Sequence, residues 1–229
     1  MIGAIIGDMA GCRFENHPHQ PGLDPLDFPL FAERTSFTDD TVLSFAVCEA
    51  LMESSGDPER MQEACCRRFK EFARKYPRAG YGRRFWEWAC NREARPFASF
   101  GNGSAMRVSP VGWSFETLEE TECMARASAL PSRSHPEGIK GACSVAAAIF
   151  LVRKGKRAEE IRDHIQRAYG YDMERRLRDM AIRASTPHAR ARFRRPLSAP
   201  LRRQAPKKPS GPPYSCATMR TRRVPLPNP

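Results

Sequence analysis

Two adjacent carboxylates, Asp39 and Asp40, stand between Thr38 and Thr41 in the stretch FTDDT, immediately ahead of an apolar run. Two kinds of chemistry fit them. As a helix cap, Thr38 accepts a first-turn amide while the two acids complement the positive helix end. As a metal site, the same residues supply the hard oxygen donors that Mg²⁺ prefers. Asp8 and Glu15 in GDMAGCRFEN are seven residues apart, so they share a face if the first helix persists. An acid beyond a helix C-terminus meets the negative end of the macrodipole, an objection that a nearby cation removes.

Two further stretches have the composition of ligand-binding segments. In SFGNGSAMRVSPVG, Gly101 and Gly103 permit close backbone approach, and Ser104 can start a following helix. A glycine-rich turn opening onto a helix suits an anion, and Arg107 suits either a phosphate or a carboxylate within the fold. In SHPEGIKG, Ser134 and Glu137 have capping-box spacing and Pro136 fits a first turn. Capping leaves His135 unexplained, facing either a cleft or solvent.

Helices must position these residues, because helical periodicity dominates and alternating strand patterns are scarce. Ile2, Ile5, Ile6 and Met9 form one stripe, and Val42, Leu43, Phe45, Ala46, Val47 and Leu51 make a helix apolar nearly all round. The second pattern predicts a central, buried helix. Asp57 and Pro58 open another helix that stops before Pro77. RRFWEWACN, LEETECMARASAL, PEGIKGACSVAAAIFLVRKG and RAEEIRDHIQRAYG complete the series. The fold class expected is all-α, a compact domain of roughly nine helices over residues 1–180.

The formal net charge of +12 suggests nucleic acid at first, but its distribution does not. Residues 181–229 hold 12 of the 38 Lys and Arg residues and no acid, leaving 26 basic against 26 acidic residues in the rest. Half of the 20 prolines lie there too, without apolar periodicity. Such a segment reads as a disordered basic tail or as an out-of-frame ending. Aromatic residues do not interleave its basic ones in a binding pattern, so nucleic acid is not the expected partner. No stretch approaches the ~20 apolar residues of a membrane span. The 8 cysteines form no C-x-x-C pair, and with no signal-peptide pattern a reducing cytoplasm is expected.

In this order, IGAIIGDMAGCRFEN, FTDDTVL, GNGSAMRVSPVGW and SHPEGIKGA resemble the conserved blocks of the ADP-ribosylglycohydrolase family, most closely its compact bacterial branch. YPRAGYG and AAAIFLVRKGK fit as well. The resemblance implies an all-α domain whose cleft holds two Mg²⁺ ions against the distal ribose of ADP-ribose. It makes Thr38, Asp39 and Asp40 metal ligands, and Glu15 and Asp39 the catalytic acids. Gly101, Asn102, Gly103, Ser104 and His135 become ligand-binding residues. The implied partner is an ADP-ribosylated protein or an ADP-ribose derivative, and the implied reaction is Mg²⁺-dependent hydrolysis of an ADP-ribosyl N- or O-glycosidic bond. The family's late GGDxDT motif is absent, and no carboxylate follows Asp179. The domain is therefore expected to lack the family's final helices and half of its metal site. A catalytically inactive ADP-ribose-binding remnant is the alternative reading.

Overall fold

The structure, a computed structural model, describes residues 1–15, 29–33, 35–91, 97, 99 and 101–174. The expected tail at 181–229 lies outside the described residues. Within them the fold is all-α: eight α-helices, two 3₁₀ turns and no strand. No helix among the described residues is long and apolar enough to cross a membrane.

The helices are α1 (Ile2–Gly11), α2 (Asp39–Ser54), α3 (Pro58–Lys75), α4 (Arg83–Cys90), α5 (Ser109–Ser114), α6 (Leu118–Ala129), α7 (Pro136–Arg153) and α8 (Ala158–Tyr169). The core gathers where α2, α3, α6 and α7 meet, around Leu43, Val47, Met61, Phe69, Met124 and Ala146. α2 is central as its composition predicts, with Val42, Leu43, Ala46, Val47 and Ala50 all buried. Phe45 and Met52 nevertheless lie on its outer side, 43% and 71% exposed. α2 ends where Ser55 and Gly56 both take positive φ, 50° and 83°, a left-handed turn that stops a helix. α3 then starts as its sequence dictates: Asp57 Oδ1 accepts from Arg60 N at 2.8 Å, with Pro58 in the first turn.

α7 carries small residues, and its neighbours use the space. On α5, a Cβ added at Gly112 would sit 2.6 Å from Ile149 Cβ, so the absence of a side chain sets how closely α5 approaches α7. α6 is fixed at its start by a reciprocal capping box between Thr117 and Glu120. α8 closes the described fold, with the Tyr169 hydroxyl donating to Glu122 on α6 and lying 3.3 Å from the Cys143 carbonyl on α7.

Three local expectations need correction. The stripe Ile2, Ile5, Ile6 and Met9 buries none of its members, and Ile2 is 74% exposed. Ser104 does not begin a helix: a 3₁₀ turn runs from Asn102 to Ser104, and α5 starts only at Ser109. The cap of α7 is His135 rather than Ser134, because Pro136 occupies the first helical position.

Candidate metal centre and anion-facing turn

α1 reaches α2 through one carboxylate. Asp8 Oδ2 accepts from Thr38 N at 2.8 Å, Thr41 N at 3.2 Å and Thr41 Oγ1 at 2.5 Å, while Asp8 Oδ1 accepts from Thr38 Oγ1 at 2.6 Å. The first-turn amides of α2 are thus shared between caps. Thr38 Oγ1 takes the Asp40 amide at 3.3 Å, and Asp8, 33 positions before its partner, takes that of Thr41. Thr38 Oγ1 also lies 3.3 Å from Asp40 Oδ2, so its single proton, held mainly by the nearer Asp8 oxygen, is shared weakly with Asp40.

A cleft of about 260 Å³ opens beside this junction, lined by Ala4, Gly7, Asp8, Gly11, Cys12, Glu15, Asp40, Ser44 and Met106. Its small residues are those of α1, which turn a helix into one wall of a hollow. Three of the lining groups are acids, and Asp39 adds a fourth beside them. None of the four forms an ion pair among the described residues. Their charges therefore act on one another. Burial, then Asp40 and Glu15, push the Asp39 carboxyl up to about 7. Burial and Asp8 raise Asp40, and the hydrogen bond from Thr38 offsets only part of that. Glu15 is raised by burial, Asp40 and Asp8; it is largely exposed, so the two carboxylates are the firmer cause.

Oxygen donors carrying unbalanced negative charge are the donor set of a hard divalent cation. Among the described residues no three His, Cys, Asp or Glu side chains are gathered closely enough to hold a metal ion by themselves, so waters or a ligand would have to complete such a shell. Asp8 was no candidate ligand from sequence, and its position explains why it matters. Both of its oxygens are engaged with Thr38 and Thr41, so it orients the donors instead of joining them.

The second group of candidate residues lies on the turn and on α7, outside the lining of the cleft. Ser104 is buried, and its Oγ donates to the Gly138 carbonyl at 2.6 Å, fastening the turn to α7. His135 Nδ1 accepts from Glu137 N at 3.1 Å, which leaves the neutral ring's proton on Nε2. Over the glycines lies an arginine: a Cβ added at Gly103 would be 2.4 Å from Arg133 Nη2, and one at Gly101 3.9 Å from it. Gly101 N itself is bonded to Ser99 Oγ at 3.2 Å. Asn102 is exposed at the start of the turn. Thus Gly101–Ser104 and His135 are brought together, whereas Thr38, Asp39, Asp40 and Glu15 form a separate acidic group. Asp39 and Arg133 link the two, close enough for the carboxylate to favour the guanidinium's charge.

Arg107, for which the sequence leaves phosphate or carboxylate open, holds neither among the described residues. It is fully buried, gives Nη2 to Ser132 Oγ at 2.8 Å and to the Ser128 carbonyl at 3.4 Å, and lies 4.0 Å above the Phe69 ring. Burial pulls it down to about 9.

Comparison with known proteins identifies the family. A sequence model of the ADP-ribosylglycohydrolase family matches residues 1–218. Human ADP-ribosylhydrolase ARH3 is 26% identical over 186 residues, covering 70% of this chain and 50% of the relative. The chicken protein of that name (Gallus gallus) is 26% identical over 189 residues, covering 70% and 51%, and the Xenopus tropicalis protein 24% over 181 residues, with the same coverage. The chain spans about half the length of these curated relatives. With the family matched from Met1 through the acidic junction and the glycine turn, this chain belongs to the ADP-ribosylglycohydrolase family.

Proposed function

We propose that this chain hydrolyses ADP-ribosyl N- or O-glycosidic bonds in an Mg²⁺-dependent reaction, with the function residing in residues 1–180. The observation that carries the reading is the acidic junction of α1 and α2. There burial and neighbouring carboxylates, Asp8 among them, raise Glu15, Asp39 and Asp40, while Asp8 fixes the Thr38 hydroxyl beside them. Thr38, Asp39, Asp40 and Glu15 would hold the metal. When bound, Mg²⁺ supplies positive charge that polarises ligand oxygens and orients ribose hydroxyls.

The chain's own residues do the rest. Cleaving a bond at the anomeric carbon of ribose passes through an oxocarbenium-like state, so a proton must reach the leaving group and water must be relieved of one. Glu15 and Asp39 are the groups proposed to move these protons; in the metal-free chain burial and neighbouring carboxylates push Asp39 up to about 7 and raise Glu15 as well. The substrate proposed is an ADP-ribosylated protein or an ADP-ribose derivative, as the names of the relatives suggest. The cytoplasm is the compartment proposed, in keeping with buried free thiols such as Cys65. A second reading, an ADP-ribose-binding module without turnover, is favoured by the open donor set.

The test is release of ADP-ribose from ADP-ribosylated arginine and serine peptides, with Mg²⁺ or with EDTA. Hydrolysis predicts release that needs the metal and disappears in Asp39→Ala. Folded protein that binds ADP-ribose yet releases nothing establishes the binding module instead.

A further inference from the structure

The acidic junction and the glycine turn leave the outer side of α5 and α7 unused. α5 packs against both α2 and α7 and so bridges them. Two contacts fix its seat on α7. The Gly112 backbone lies against Ile149, and Arg153 Nη1 donates to the Trp113 carbonyl at 2.7 Å. Trp113 therefore stands at the edge of α7 that carries Val145, Ile149 and Val152, three residues whose spacing puts them on one face of the helix. Trp113 is 52% exposed and Val152 58%, Val145 is exposed too, and Ile149 is half-buried. On the other neighbour of α5, Phe45 and Met52 of α2 also lie in solvent.

This face carries no charge. α5 has no charged side chain, and α7 has none between Lys140 and Arg153. The charges at its border already have partners: Arg153 on the Trp113 and Phe115 carbonyls, Lys154 on Glu116 at 2.7 Å, and Glu49 of α2 on Arg68 at 3.1 Å. Five exposed large side chains amount to on the order of 500 Å² of apolar surface, near the upper end of what a monomer leaves bare. Two such faces together bury about 1,000 Å², the threshold of a specific interface.

We propose that the α5–α7 face, bordered by Phe45 and Met52, pairs two copies of this chain about a two-fold axis in a reversible dimer. A second copy offers a surface equally apolar and equally free of charge, so pairing sets no like charges against each other. Residues 181–229 are the wrong occupant. They hold 12 Lys and Arg residues, no acid and no apolar periodicity, and they would find no anion on this face. The dimer goes beyond the hydrolytic reading and does not rest on it.

The test is sedimentation velocity of the full chain from about 1 to 100 μM, the range in which so small an interface dissociates. The parent's sedimentation coefficient should climb from that of a monomer to that of a dimer. Trp113→Glu and Val152→Glu each place a charge inside the interface and should weaken pairing by about tenfold or more. Both side chains are exposed in the single chain, so the circular dichroism should stay that of the parent. If Trp113→Glu fails to fold, Val152→Glu decides alone. Arg74→Glu, exposed on α3 and outside this face, should pair as the parent does. A parent that stays monomeric throughout overturns the proposal, whether the face is bare or covered by the chain itself. So does a dimer that both substitutions leave intact, which pairs elsewhere, or one that high salt dissociates, which is held by charge. Oligomers that keep growing with concentration also overturn it, because a two-fold contact closes on itself.

Discussion

Removing the Asp8 carboxylate tests the junction on which the metal-centre reading rests. Asp8 accepts from two backbone amides and two hydroxyls, all at the start of α2. In Asp8→Ala the hydroxyls can turn toward water, but the Thr38 and Thr41 amides lose an anionic acceptor. Bonds to a charged group contribute about 1.5–3 kcal/mol each, and partial exposure reduces that here. Substitution also removes a negative charge that raises Glu15, Asp39 and Asp40, which offsets part of the loss. The net destabilisation expected is about 2 kcal/mol, or a fall in Tm of roughly 4–8 °C for a chain of this size. Urea melts of Asp8→Ala, Thr41→Val and the double variant, followed by circular dichroism, measure it directly. The single losses should exceed additivity by about 1 kcal/mol, as expected for residues in contact. Asp8→Asn should cost less, because the amide oxygen can keep the acceptor position facing Thr41. A melting midpoint for Asp8→Ala indistinguishable from the parent's, or a cycle that is simply additive, refutes the idea that Asp8 fastens α1 to α2.

Two other predictions concern charge and packing. Because the folded metal-free protein raises Asp39 to about 7, and Glu15 and Asp40 also upward, it binds protons more tightly than the unfolded chain. Its stability should therefore fall as pH rises from about 4 to about 7 and then level off; Asp39→Asn should flatten the fall, and Mg²⁺ at pH 8 should restore stability in the parent. Gly112→Ala should destabilise by roughly 1–3 kcal/mol in thermal melts, because its Cβ would meet Ile149 Cβ at 2.6 Å, and Ile149→Ala should recover part of the loss.

How far the sequence reveals this molecule depends on the range of the interaction concerned. Local devices are legible. Asp57 and Pro58 open α3 as read, since a cap and a first-turn proline act within four residues. The same rule, applied to Pro136, identifies His135 as the residue that caps α7; the capping-box spacing of Ser134 and Glu137 is the weaker signal. Periodicity identifies a face but not its partner. The α1 stripe is real, yet none of it is buried, and the apolar circumference of α2 does not reveal that Phe45 and Met52 point outward. Long-range acceptors are the least legible. Thr38, Asp39 and Asp40 stand out because they are adjacent, whereas Asp8 gains its role only when a separate helix lies against them. Arg133, too, reads as an ordinary loop residue until its guanidinium is seen resting on Gly103.

The charge layout gives these residues a common purpose. Asp39 lies within electrostatic reach of both Arg107 and Arg133, so mutual ion pairing would be the economical arrangement for stability alone. The contacts oppose it. Arg107 is drawn to Ser128, Ser132 and the Phe69 ring, and Arg133 is seated on Gly103 and Phe97. Acids and guanidinium groups therefore stay unneutralised at close quarters, each side with its favoured charge state weakened. Such frustration is costly in a protein that only has to fold, and it is typical of sites that wait for a ligand. A ligand matched to both halves must offer hydroxyls that share a cation with carboxylates, and anionic oxygens for guanidinium groups. Under the hydrolytic function proposed above, a ribose joined to a diphosphate would be such a ligand.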